Sequence, residues 1–331
     1  MRIIVFLQLM AIFLSPQASA KAKSSMDYQV IIIGGGPAGI SALLWCHSLG
    51  LHAVLLEQSS ELGGQMLEMF HPVLEYPGFP NKTGQELRDE FATHLQAYNL
   101  SYLLNCCIEE LDLRETRMMV NGEHVTARAL IIATGARNRR LELPGAENLS
   151  GISYSATHDH QRFAGKNVCV VGGGDSAFED CLILAEVCPH VTLIHRSEQF
   201  RARQGWQQAV FKHSHIDVLP HNQIAQITQE NSEALRLSVI NHLDGTRREL
   251  ITDGLFVRLG IEPNTAFLQG RLQLDEAGYI TTDRAQKTSI PNVYAIGDVC
   301  RPICLSVSTA IGHGAIAAKG IAETLRQQFD G

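Results

Sequence analysis

Apolar runs and helix-period segments alternate along most of the chain. Val30–Ile33 is apolar at every position, as a parallel strand buried on both faces would be. The next segment repeats Ile40, Leu43, Leu44, Cys46 and Leu49 at helical spacing. Ala53–Leu56 reads as a second strand and Glu86–Tyr98 as an amphipathic helix, followed by short alternating strands around an Asn121-Gly122 turn. Ala129–Ala136 predicts another buried strand ending on a small-residue turn, and Val168–Val171 one more, with a helix to about Glu186 and a strand over Val191–Ile194. Asn292–Val299 is expected to form a final strand and Val307–Gln327 a small-residue helix. This order predicts an α/β protein of two Rossmann-like three-layer units.

Two strand-to-helix junctions carry glycines at informative spacing. In Gly34-x-Gly36-x-x-Gly39 the first glycine permits a tight turn and the second a close approach to a pyrophosphate. The third lets the helix pack on the strand with its N-terminus toward the phosphate charge. Glu57, at the end of the next strand, is placed to accept from a ribose hydroxyl. Gly172-x-Gly174-x-x-Ala177 repeats the pattern, but the second strand there ends on His195-Arg196-Ser197 with Arg201 and Arg203 beyond. Arginines in place of an acid remove repulsion toward a 2′-phosphate and supply donors for it, so NADPH is expected over NADH. Arg137–Pro144 reads as a polar crossing segment, and the chain leaves the second unit near Leu259–Asn264. Two nested nucleotide sites, the second interrupting the first, mark a flavoprotein rather than a simple dehydrogenase, so the expected domains are 26–137 and 263–331 for FAD, with 138–262 for NAD(P)H inserted between them.

Composition adds exclusions. With 34 acidic against 27 basic side chains, a net charge of −7 and no block of like charge, the chain lacks a nucleic-acid-binding surface pattern. Arg2, the apolar run Ile3–Leu14 and Ala18-Ser19-Ala20 have the layout of a signal peptide over residues 1–20, which predicts export. A start at Met26 is the alternative and predicts a cytoplasmic protein. The eight cysteines do not form a disulfide scaffold, and only Cys300 and Cys304 draw attention as a redox pair. His213, His215 and His221 lack further ligands at metal-site spacing and read as surface, so no metal is expected.

From Tyr28 onward the chain resembles the low-molecular-weight thioredoxin reductase family. The resemblance is carried by Gly34–Gly39, Gly63-Gly64-Gln65, Ala133-Thr134-Gly135, Gly172–Ala177, His195-Arg196 with Phe200-Arg201-Ala202, and Gly297-Asp298. It implies that Gly34, Gly36, Gly39, Glu57, Gly63, Gly64, Gln65, Thr134, Gly135, Gly297 and Asp298 hold FAD. It also implies that Gly172, Gly174, Ser176, Ala177, His195, Arg196 and Arg201 hold NADPH, and that the protein is a homodimer.

Two departures matter. Ser197 stands where the family usually has a second arginine. More seriously, Ser155-Ala156-Thr157-His158-Asp159 occupies the position of the family's Cys-Ala-Thr-Cys-Asp, so neither catalytic sulfur is present. A dithiol couple needs thiolates. The resemblance therefore implies a hydride passed from NADPH to FAD and then to a different acceptor: a quinone, an iron–sulfur protein, a small disulfide or oxygen. His158 and Asp159 are candidates for handling a proton there. Cys300 and Cys304 are candidates for a relocated disulfide, which would make the protein a thiol–disulfide reductase or oxidase. A non-catalytic NADPH sensor is the reading from outside enzymes.

Overall fold

The structure is a computed structural model that describes residues 26–146, 149–231 and 234–327; the expected signal segment lies outside them. Strands β1 (Met26–Ile33), β2 (Ala53–Leu56) and β3 (Tyr102–Leu103) follow one another in the first sheet, with helix α1 (Pro37–Ser48) between the first two and α2 (Gly84–Ala97) before the third. β4 (Ile108–Asp112), β5 (Arg117–Val120) and β6 (Glu123–Ile132) form an antiparallel meander that extends it. The order is β3-β2-β1-β6-β5-β4, all parallel from β3 to β6. Val30, Ile31 and Ile32 are fully buried, as a strand covered on both faces requires.

β7 (Ala136–Asn138) carries the chain into a second sheet. That sheet contains β8 (Ile152–Ser153), β9 (Asn167–Gly172), β10 (His190–Ile194), β11 (Ile216–Leu219) and, after an antiparallel layer of β12 (Asn222–Gln229), β13 (Leu235–Asn241) and β14 (Arg247–Thr252), the strand β15 (Gly254–Arg258). Its order is β11-β10-β9-β15-β8, all parallel. Helices α3 (Ala156–Asp159), α4 (Asp175–Ala185) and α5 (Gln204–Lys212) belong to this part of the chain. β16 (Ile261–Pro263) then returns to the first domain, where β17 (Val293–Ala295) pairs with the end of β6 and α6 (Val307–Gln327) packs along α1.

Two expectations need correcting. The final strand does not run through Val299: it ends at Ala295, and Gly297 at φ +75° turns the chain into a short 3₁₀ segment, Gly297–Cys300. The crossing over Arg137–Pro144, expected only as a polar segment, begins as a paired strand. Its first residues form β7, which pairs antiparallel with β16 in the register Ile261–Asn138, Glu262–Arg137 and Pro263–Ala136, and Arg137 Nε donates to Glu262 Oε1 at 2.8 Å. Both crossings between the sheets thus run side by side as one two-stranded ribbon.

Candidate dinucleotide sites and the seam between them

At the first junction, the backbone of β1 turns at Gly34 and α1 starts at Pro37 with no side-chain cap, leaving first-turn N–H groups available to an anion. Open space lies beyond the Gly36 Cα, whereas a methyl group on Gly39 would fall 1.9 Å from the Gly34 carbonyl oxygen. Gly36 therefore makes room and Gly39 permits contact. Glu57 Oε2 accepts from Gly35 N at 2.6 Å and Oε1 from Ser59 N at 2.7 Å. Each carboxylate oxygen keeps a further lone pair for a ribose hydroxyl. A cavity of about 680 Å³ opens beside Gly34, Glu57 and Thr134, a size common for ligand sites.

Residues far apart in sequence complete this site. Gln65, in a 3₁₀ turn (Gly64–Glu68) that follows Gly63, donates from Nε2 to Asp298 Oδ2 at 2.7 Å, and Gly135 lies alongside that amide. Burial pushes the Asp298 carboxyl above its usual range against the pull of that bond. Thr134 and Asn264 exchange two hydrogen bonds, Oγ1 to the Asn264 carbonyl at 3.0 Å and Nδ2 to the Thr134 carbonyl at 2.8 Å. Gly297 N donates to His313 Nδ1 at 3.3 Å, and burial holds that imidazole below its ordinary pKa. No motif marks Asn264 or His313, because their side chains bond to backbone groups of other segments. The open cradle at Gly36, the uncapped helix and the Gln65–Asp298 pair fit FAD.

The second junction differs in its acidic position. Gly172 sits against Arg258 and Ala177, and the buried Ala177 takes the packing role of a third glycine while Ser176 stays exposed in the first turn of α4. The His195 ring lies over Gly173, where a methyl group would fall 2.1 Å from Cε1. Arg201 N and Ala202 N both donate to the Gly173 carbonyl, folding the basic loop back over the glycine turn. Ser197 is bound to His195 Nε2 at 3.0 Å and to the Gln199 carbonyl at 3.1 Å. Burial, then the nearby Arg196 and Arg201, lower the His195 pKa. The Arg196 and Arg201 side chains are exposed, and among the described residues neither is in an ion pair. A free helix N-terminus beside two uncommitted guanidinium groups fits NADPH.

The candidate redox residues lie on two segments: His158 and Asp159 belong to α3, and Cys300 ends the Gly297–Cys300 segment that carries Asp298. His158 Nε2 meets Glu68 Oε1 at 3.0 Å and Thr157 Oγ1 donates to the Glu68 carbonyl at 2.9 Å. Asp159 points away from them and accepts from Ser153 Oγ at 2.8 Å. Cys300 and Cys304 are free thiols; burial pushes Cys300 up to about 12, while Cys304 is exposed. A thiol so reluctant to ionise is a weak nucleophile at neutral pH.

Residues 28–314 match the model of the pyridine nucleotide-disulphide oxidoreductase family. The chain belongs to this family. It is 35% identical over 302 residues to a thioredoxin reductase of Listeria innocua, covering 90% of this chain and 94% of that protein. The structure superposes with a TM-score of 0.85 on the thioredoxin reductase of Lactococcus lactis in its FR conformation, at 31% identity, covering 91% of this chain and 99% of the other. For the thioredoxin reductase of Streptococcus pyogenes the score is 0.59, at 32% identity, covering 92% and 100%. The protein is a thioredoxin reductase-like flavoprotein oxidoreductase with two Rossmann-like domains.

Proposed function

We propose that this family member is an NADPH-dependent FAD oxidoreductase whose electrons leave the flavin without passing through a Cys-x-x-Cys pair. The observation that carries the reading is that the segment Ser155–His158 holds no sulfur and docks on Glu68, while both dinucleotide cradles are intact. No two of the eight cysteines stand at Cys-x-x-Cys spacing anywhere in the chain. When bound, FAD supplies two-electron chemistry between a nicotinamide and an acceptor, the cofactors carrying the reaction.

The chain's own residues bind and align. Gly36 and the start of α1 receive the pyrophosphate of FAD, Glu57 a ribose, and Gln65 with Asp298 the region where the two FAD-domain segments meet. Arg196 and Arg201 receive the 2′-phosphate that distinguishes NADPH. The difference between superposition scores of 0.85 and 0.59, at matching identity and coverage, is what a rotation between similar domains produces. The β7–β16 ribbon is the natural axis for such a hinge. The acceptor is drawn from quinones, iron–sulfur proteins, small disulfides and oxygen.

Anaerobic mixing of the flavin-loaded protein with NADPH tests the reading. Rapid bleaching of the flavin band is expected, with oxidation afterwards by one of these acceptors and no NADPH-driven reduction of thioredoxin. Tight NADPH binding without bleaching would make the protein a sensor instead.

A further inference from the structure

We propose that the segment 68–75 is a clasp that selects, among the orientations the β7–β16 hinge allows, the one in this structure, with Glu68, His71 and Thr157 as positioning residues for the electron transfer. The inference rests on the functional reading above and deepens it. The two covalent crossings form only the β7–β16 ribbon, a weak orienting device, since two strands alone are marginally stable. The segment that begins three residues after Gln65 supplies what the ribbon lacks.

Residues of this segment reach three separate helices of the second domain. The Glu68 carbonyl and carboxylate engage Thr157 and His158 on α3, at 2.9 and 3.0 Å. Phe70 packs against the core of the second domain, its ring edge-on to His160 at 5.5 Å. His71 meets Glu179 Oε1 on α4 with its backbone N at 3.3 Å and its Nδ1 at 2.8 Å, and its ring lies against Trp206 of α5 at 5.2 Å. Glu75 Oε2 lies 3.8 Å from Arg203, whose Nε is paired with Asp175 in the first turn of α4 at 2.7 Å. The clasp therefore joins the Gln65 turn of the flavin site to the helix expected to meet the NADPH pyrophosphate.

Donor and acceptor rings must approach to about 3–3.5 Å, and an error near 1 Å costs on the order of a hundredfold in rate. His158, standing where relatives of this resemblance keep a sulfur, is committed to the seam. In this arrangement its contribution is to orientation.

The test uses the full-length, FAD-loaded protein with nitroxide labels at Glu115→Cys and Leu243→Cys, one on each domain, and the exposed Cys107 and Cys304 changed to serine. Wild-type seam residues are expected to give one narrow inter-label distance. E68A/H71A/T157V is expected to broaden or displace it and to slow single-turnover flavin bleaching by NADPH at least tenfold, with NADPH affinity within about twofold. E68Q/H71N/T157S, which keeps the hydrogen-bonding groups, should restore both. If the disrupted variant fails to fold, Thr157→Val alone carries the distance measurement, with a second population expected. An unchanged distance, or a changed distance with an unchanged rate, overturns the clasp. If NADPH fails to bleach even the unmodified seam, the proposed function falls, and the distances alone decide the clasp.

Discussion

Asp180 and Arg258 form a bidentate ion pair inside the second domain: Arg258 Nε donates to Oδ2 at 2.6 Å and Nη2 to Oδ1 at 2.9 Å, with side-chain exposures of only 2% and 7%. The same carboxylate accepts from the backbone of Ala156, so the pair underlies the turn that presents Thr157 and His158 to Glu68. Arg258 also backs Gly172, where the second dinucleotide turn begins. Neither residue belongs to a motif, yet both support the seam and the cradle.

Removing the guanidinium with Arg258→Met leaves a buried carboxylate unpaired, and a stability loss of about 3–5 kcal/mol at pH 7 is expected. Burial already pushes the Asp180 carboxyl up to about 6, against the pull of Arg258, from an ordinary value of 3.8. A carboxyl raised in the folded state contributes stability that is full below 3.8 and lost as pH rises through about 6. Arg258→Met removes the interaction that opposes burial, so the orphaned Asp180 carboxyl protonates still more readily. The loss should therefore be smaller at pH 5 than at pH 7, read as the urea midpoint of the second domain. Equal losses at both pH values would mean that the orphaned carboxylate is not the cause.

The two glycines of the first turn should separate packing from ligand space. Gly39→Ala drives a methyl group into the Gly34 carbonyl and is expected to destabilise the flavin domain even without FAD. Gly36→Ala projects into open space and should leave the apo-protein's melting temperature nearly unchanged while abolishing FAD retention. Calorimetry with flavin titration checks both. Normal FAD affinity in Gly36→Ala would remove the pyrophosphate from this turn.

Coenzyme preference should depend on the exposed arginines. Losing charge-assisted contacts worth about 1.5–3 kcal/mol, Arg196→Ala/Arg201→Ala is expected to raise KM for NADPH ten- to a hundredfold and leave NADH nearly unchanged. Ser197→Arg should tighten NADPH further. Equal effects on both coenzymes would show that these residues do not read the 2′-phosphate.

Thiol chemistry at the last loop should be dispensable. Cys300→Ser/Cys304→Ser is expected to retain NADPH-driven flavin reduction and acceptor turnover within about twofold, because Cys300 stays protonated with a pKa of about 12. Thiol counts before and after anaerobic reduction should be equal. Two additional thiols on reduction would restore the relocated disulfide.

The two nucleotide turns and the strands that lead into them are legible in the residues alone. Both depend on local requirements: an apolar run for a doubly covered strand, small residues where backbone meets backbone, and arginines in place of an acid. The absence of sulfur at Ser155 and His158 is legible there too, a matter of residue identity. What surrounds those positions emerges once the chain is folded. Glu68 with His158, Thr134 with Asn264, and Asp180 with Arg258 lie 90, 130 and 78 residues apart. Side chains of this kind look like ordinary polar positions in the sequence, because their partners come from other segments and are set by chain topology. The final strand was over-extended for the opposite reason: Ile296 and Val299 are buried like strand residues, but a positive φ at Gly297 turns the chain between them. Periodicity reports burial, and the backbone angle at one glycine decides whether that burial belongs to a strand.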